Sequence, residues 1–201
     1  PGRRKSTHAK VDPDSVAERP CFLCPAHMPA QERGLAFGPL VILPNPYPVL
    51  PGHCTIPVRE HVPQRIAGRT GALLALAEGL GEGMAAFYNG PACGASAPDH
   101  LHFQACRAEG VPLLTELPAD IDPDRMVVHE SLGRRVLVFG ALAAETRLQR
   151  ALAALTSVAP ADPEPMANLL AMQRDGQTVA VLIPRARHRP RQFFAAGEER
   201  I

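Results

Sequence analysis

The sequence has no excess of charge of either sign. Its 21 Lys and Arg stand against 20 Asp and Glu, a formal net charge of +1. A chain whose main task is to hold nucleic acid or an anionic membrane surface shows a strong basic balance. Those two partner classes are therefore excluded as principal ones, and any anion must be recognised locally. No apolar run reaches membrane-spanning length, and the basic start Pro1-Gly2-Arg3-Arg4-Lys5 is not followed by the apolar segment of a signal peptide. A cytoplasmic location is the expectation. Cysteine is scarce and odd in number, five in all, which argues for thiols or metal ligands and against a disulfide framework.

Apolar residues, at 46 % of the 201 positions, suffice for a sizeable core in one large domain or two small ones. The 22 prolines and 16 glycines break the chain often. Residues 1–19 are polar and without periodicity, and are expected to form a loose arm. Phe37–Asn45, through Leu40-Val41-Ile42-Leu43, reads as one strand, and Cys54-Thr55-Ile56-Pro57-Val58 as its antiparallel partner around the Pro51-Gly52 turn. From Thr70 to Tyr88 apolar residues recur at helical spacing, interrupted by Gly79, Gly81 and Gly83, and a single helix is expected. Residues 109–124 are irregular, of a length that suits a flap or a connection. Beyond them, Met126-Val127-Val128 and Arg135–Phe139 read as a hairpin and Thr146–Ser157 as a second helix. Asn168–Met172 and Thr178–Ile183, flanking Asp175-Gly176, read as another hairpin. The chain closes on Phe193–Ile201 with no element completed, so the second half is expected to be cut short.

Two stretches carry chemistry. From His100 to Gln104 polar and apolar residues alternate, so an extended backbone puts His100, His102 and Gln104 on one face, about 7 Å apart along the strand. Ahead of them Asn89-Gly90-Pro91-Ala92-Cys93-Gly94-Ala95-Ser96 is rich in small residues, which lets backbone N–H groups approach an anion, with the Ser96 hydroxyl beside them. Imidazole is a nucleophile near neutral pH, and attack on a phosphoryl group gives a covalent N–P intermediate. An HxH pair alone is equally a pair of metal ligands or of hydrogen-bonded core histidines. The second stretch, Cys21-Phe22-Leu23-Cys24 with His27 close behind, offers two thiolates at the spacing of a tetrahedral metal site, most often zinc. A redox pair is the alternative, disfavoured by Pro25 and the missing βαβ context.

Residues 89–106 resemble the active-site signature of the histidine-triad superfamily, in the branch that has Gln in place of the third His. That branch holds galactose-1-phosphate uridylyltransferase, diadenosine tetraphosphate phosphorylase and the GDP-hexose phosphorylases, and His100-Leu101-His102-Phe103-Gln104-Ala105 looks most like the last. One departure is Asp99, which stands between Pro98 and His100 where the uridylyltransferases go directly from Pro to His.

The resemblance implies an α+β fold: a histidine-triad-like antiparallel sheet with flanking helices, in two degenerate halves sharing one sheet. The catalytic half would cover residues 20–124 and the second half residues 125–201. It implies that His102 is the nucleophile, that Gln104 holds the transferred phosphate with Ser96 beside it, and that Cys21, Cys24, His61 and His100 bind a structural zinc ion. His27 or His53 would be substitutes for His61, although His53 reads better as a structural hydrogen-bonder. Asn89 and Gly94 of the small-residue loop, and Arg185, Arg187 and His188 of the basic cluster that runs on to Arg189 and Arg191, would bind substrate. A short repeat, I-P-x-x-x-H-x-P at Ile56–Pro63 and Ile183–Pro190, fits the two-lobed plan. The implied activity is a nucleotidyltransferase or phosphorylase that acts on a nucleotide-sugar or a dinucleoside polyphosphate. Its partners would be a nucleotide substrate and phosphate or a sugar phosphate, and a homodimer is compatible with the architecture. A hydrolase of the same fold and a non-catalytic nucleotide-binding protein are the rivals.

Overall fold

Alternation of apolar side chains along short runs, broken by Pro and Gly, produces nine strands. Five come from the first half: β1 (Leu35–Phe37), β2 (Leu40–Pro44), β3 (Cys54–Pro57), β4 (Met84–Asn89) and β5 (His102–Arg107). Four come from the second: β6 (Met126–Ser131), β7 (Arg134–Phe139), β8 (Ala167–Arg174) and β9 (Gln177–Pro184). The computed structural model describes residues 12–131, 133–140, 144–161 and 163–188. The strands form one sheet in the order β1-β2-β3-β5-β4-β8-β9-β7-β6. Neighbouring strands pair antiparallel, and the halves meet where β4 pairs with β8. This is the α+β architecture expected, two parts sharing one sheet.

The sheet has two unlike faces. Ile56, Ala86, Tyr88, Phe103, Ala105, Leu169, Ala171, Ala180 and Leu182 face one way, into the main core. Two helices cover them: α2 (Thr70–Leu80), through the fully buried Leu73 and Leu76, and α4 (Ala144–Val158), through Leu148 and Leu152. An isolated helix of eleven residues is marginal in water, and burial stabilises each such leucine by about 1.5–3 kcal/mol. On the opposite face Ala85, Val138, Leu170, Val181 and Ile183 form a smaller cluster. The short helix α3 (Pro112–Thr115) lies against it through Leu113 and Leu114, with Leu117 beyond. The proline-punctuated stretch after β5 is therefore in part packed against the sheet.

The single strand expected over 37–45 is corrected: a turn at Gly38-Pro39, with Gly38 at φ 54°, folds Phe37 back onto Leu40 and divides it between β1 and β2. The helix expected over 70–88 is corrected too: it stops at Leu80, and Met84–Asn89 is a central strand. Gly81 caps the helix at φ 75°, and Gly83 sits at φ 79°, a region open to glycine at little cost. Gly79 has another reason to be glycine, since a Cβ there would enter the Phe37 ring. In the segment expected to be a loose arm, Asp12 caps a short helix α1 (Pro13–Glu18), and Arg19 bonds Asp99 at 2.9 Å. The remainder of that arm lies outside the described residues. The I-P-x-x-x-H-x-P repeat does not extend to packing. Ile56 enters the helix-covered core and Ile183 the opposite cluster, so the two copies are out of phase by one residue on a period-two strand.

Candidate active site and metal centre

β5 begins at His102. The alternation expected of the motif holds for His102 and Gln104, which lie on the face opposite the core residue Phe103. It fails for His100, which precedes the strand in a bend and sends its ring to the cysteines. The expectation of three side chains on one face is corrected to two.

His102 is 2 % exposed. Its Nδ1 lies 2.8 Å from the carbonyl oxygen of His100. A carbonyl only accepts, so Nδ1 carries the proton and Nε2 keeps a bare lone pair. Burial pushes the imidazole down to about 4, against a smaller opposing effect of the His100 hydrogen bond. The ring is therefore neutral near pH 7, with an unprotonated nitrogen available for nucleophilic attack.

The backbone of His102 is held by Gln64, which is fully buried. Gln64 Oε1 accepts the His102 N–H at 2.8 Å, and Nε2 donates to the carbonyls of His102 at 3.0 Å and Asn89 at 2.9 Å. The β4–β5 ladder ends at the pair Phe87 and Gln104. One side-chain amide takes the place of the next rung, and the strands separate around it. The Gln64 N–H bonds Pro98 O at 3.1 Å and the Leu101 N–H bonds Val62 O at 2.7 Å, so residues 62–64 run along the segment that leads into β5.

Across the seam Asn168 Nδ2 donates to Asn89 Oδ1 at 2.7 Å and to Cys93 O at 3.0 Å. Arg185 donates to Asn168 Oδ1 at 2.7 Å, and its other arm reaches the carbonyls of Arg187 and His188. The chain Arg185–Asn168–Asn89 thus connects the second half to the strand beside His102. Of the basic residues expected to bind substrate, Arg185 is half-buried and engaged internally, Arg187 is exposed and His188 half-buried. Arg189 and Arg191 lie outside the described residues. In the small-residue loop, Cys93, Ala95 and Ala97 are buried, Ser96 is half-buried, and Gly94 is exposed at φ 102°, a conformation that a side chain would strain.

Gln104 Oε1 lies 2.8 Å from His53 Nε2. His53 therefore stays out of the metal cluster, and so does His27, whose Nδ1 bonds Cys21 O at 2.9 Å. The cluster consists of Cys21, Cys24, His61 and His100, with one ligand atom from each, all within 4.8 Å of one another. His100 Nε2–H donates to Val58 O at 2.8 Å, which leaves the Nδ1 lone pair facing Cys21 Sγ at 3.3 Å and Cys24 Sγ at 3.5 Å. His61 Nδ1 is 3.2 Å from Cys24 Sγ. Adjacent sulfur and nitrogen ligands of a tetrahedral ion lie about 3.5 Å apart. Two sulfurs converging on one lone pair fit an ion better than a hydrogen bond. These four residues could hold a metal ion, and burial raises the Cys21 thiol to about 11 without one.

A model of a domain of unknown function, DUF4922, matches residues 1–107. The chain belongs to the DUF4922 family. No curated protein matches its sequence. Among solved structures the DUF4922 chain is similar to yeast Ap4A phosphorylase, with 19 % identity over 76 % of this chain and a TM-score of 0.43. The same enzyme in complex with Ap4A gives 18 % identity and a TM-score of 0.49. A DUF4931 family protein from Bacillus cereus gives 11 % identity over 81 % of this chain and 89 % of that one, with a TM-score of 0.51. The chain spans 58 % of the phosphorylase's length. No helix among the described residues is long and apolar enough to cross a membrane.

Sequence reasoning missed Gln64 and Asn168 as parts of the site, and Glu164, which accepts from Tyr88 Oη at 2.6 Å and from Ile66 N at 2.8 Å. Asn168 stands between Ala167 and Leu169, which predicts burial with a partner without naming it; Gln64 beside Arg65 and Glu164 between two prolines carry no such signal.

Proposed function

We propose that this protein is a nucleotidyltransferase of phosphorylase type, which cleaves a nucleoside diphosphate linkage by double displacement through a nucleotidyl-histidine. The observation that carries the reading is the state of His102: buried, neutral, and with its Nδ1–H donated to the His100 carbonyl, so that Nε2 is bare. That nitrogen attacks the α-phosphorus, an N–P bond forms, and the P–O bond to the leaving phosphate group breaks. A phosphate oxygen of the acceptor then attacks the same phosphorus, the N–P bond breaks, and neutral His102 is restored. Positioning and charge stabilisation supply most of such a barrier reduction. Gln104, Asn89 and the Gly94–Ser96 loop are the donors assigned to the phosphate. Arg185 orders Asn89 and the Cys93 carbonyl before the loop through Asn168, and Arg187 and His188 are assigned to the outer part of the substrate.

Cys21, Cys24, His61 and His100 would hold zinc. With four protein ligands and no open position the ion serves as structure, and it fixes the segment whose carbonyl orients His102. The donor classes proposed are a nucleotide-sugar and a dinucleoside polyphosphate, with phosphate or a sugar phosphate as acceptor.

The test is chemical mapping of a trapped adduct. Incubation with donor and no acceptor should leave one nucleotide on the peptide containing His102, acid-labile as a phosphoramidate is. His102→Ala should form none, while His100→Ala should lose metal first. An adduct on another residue, or one that survives in His102→Ala, removes the assignment.

A further inference from the structure

His53 lies in the turn before β3, 8 % exposed, and both of its nitrogens are committed. The Val49 backbone N–H donates to Nδ1 at 3.3 Å. Nδ1 is thus an acceptor, and in a neutral imidazole the proton then sits on Nε2. Nε2–H points at Gln104 Oε1, 2.8 Å away. The ring stacks on Phe87, the strand partner of Gln104, at 6.0 Å between centroids. The turn that carries it is tied down by Asn45, whose N–H bonds His53 O at 2.9 Å and whose Nδ2 bonds Thr55 Oγ1 at 2.9 Å. Thr55 in turn pairs with Gln104 across β3 and β5.

A glutamine amide has two faces of opposite character, and rotation by half a turn exchanges them. Here rotation would set the Gln104 NH2 against the His53 N–H, donor against donor. The oxygen is therefore held toward His53. Among the described residues the Gln104 amide nitrogen has no hydrogen-bond partner, so its two N–H groups are what Gln104 offers to the site.

We propose that His53 is a positioning residue, which fixes the Gln104 side chain as a pure donor and so selects an acceptor-only group, a phosphoryl oxygen, at that place. The inference rests on the reading of Gln104 as the phosphate ligand. It adds the reason that Gln104, which is ambivalent by itself, acts as a donor there. A preorganised donor at a site of developing charge is worth more than one that must be reoriented during the reaction.

Two substitutions separate this role from a structural one. In His53→Gln the amide N–H reaches the place of Nε2–H and still donates to Gln104. In His53→Asn the side-chain oxygen replaces Nδ1 and keeps the Val49 bond, but nothing reaches Gln104. Both lose the stacking on Phe87. The expected result is that His53→Asn lowers kcat about 10- to 100-fold with KM changed less than about threefold, while His53→Gln recovers most of the loss. A merely structural role lowers both alike, and equal rates for the two variants would overturn the proposal. Nitrogen NMR of the labelled full chain reads the tautomer without any turnover: a proton on Nε2 of His53 is expected, and a proton on Nδ1 would overturn it. If the wild-type protein forms no adduct with any donor, the reading of function fails while the NMR result still decides the orientation.

Discussion

Replacing Gln64 by Met keeps the volume of a fully buried side chain and removes its three hydrogen bonds. The substitution leaves the His102 N–H and the carbonyls of His102 and Asn89 without the partner that bridges the end of the β4–β5 ladder. A buried backbone group deprived of its partner costs about 1–3 kcal/mol, so the three together predict a loss of about 3 kcal/mol at the low end. A domain of ordinary stability, about 5–15 kcal/mol, still folds after that loss. Urea denaturation followed by circular dichroism reads it as a lower midpoint at unchanged slope. Gln64→Ala adds a cavity and should be worse by about 1 kcal/mol or more. If Gln64→Met instead unfolds within about 0.5 kcal/mol of wild type, the His102 backbone does not depend on Gln64, and the account of how His102 is held is wrong.

Three further outcomes follow from other parts of the molecule. Cys21→Ser, or chelation of the wild type, should remove the bound metal and lower Tm by several degrees, because metal-binding energy is folding energy at such a site; unchanged metal content by elemental analysis would exclude Cys21 as a ligand. Burial holds the His102 imidazole at about 4, below the ordinary value of about 6.5 in an unfolded chain. The unfolded state therefore gains a proton first as pH falls. The associated stability is complete above about pH 6.5 and is lost between about 6.5 and 4, at most about 3 kcal/mol. Adduct formation should accordingly stay level from pH 8 down to about 5, and a rate that halves near pH 6.5 would show an exposed, ordinary histidine. Gly79→Ala gains about 1 kcal/mol of helix propensity but drives a methyl group into the Phe37 ring, where overpacking costs about 1–3 kcal/mol; net destabilisation on thermal melting is expected, and a raised Tm would contradict the packing described.

The strands were legible wherever apolar and polar residues alternate between turn residues. The β8–β9 hairpin is the clearest case, since Asp175-Gly176 supplies the two positive φ values that its turn requires. β4 was not legible, because Met84-Ala85-Ala86-Phe87-Tyr88 continues a helical spacing from α2, and only the glycines at 81 and 83 mark the change. A strand buried on both faces does not alternate. In the candidate site, His102 and Gln104 share one face of β5 as the alternation of the motif expects, and CxxC lies in a Cys/His cluster that could hold a metal ion. The assignment of His61 over His27 and His53 could not be read from spacing, because it depends on where three short segments converge. Gln64, 38 residues from His102, and Asn168, 79 residues from Asn89, act through single side-chain contacts, which leave no periodic trace. Arg185 adds a role that a dense basic run does not announce, since the fold also uses it as an internal strut on Asn168.

Intact-protein mass spectrometry after incubation with a GDP-sugar, a UDP-sugar and diadenosine tetraphosphate, each without acceptor, tests the central claim most directly. The account predicts a gain of one nucleoside monophosphate with at least one donor, absent in His102→Ala and lost when phosphate or a sugar phosphate is added. An unmodified mass with every donor, in protein that carries its full complement of metal, would contradict it.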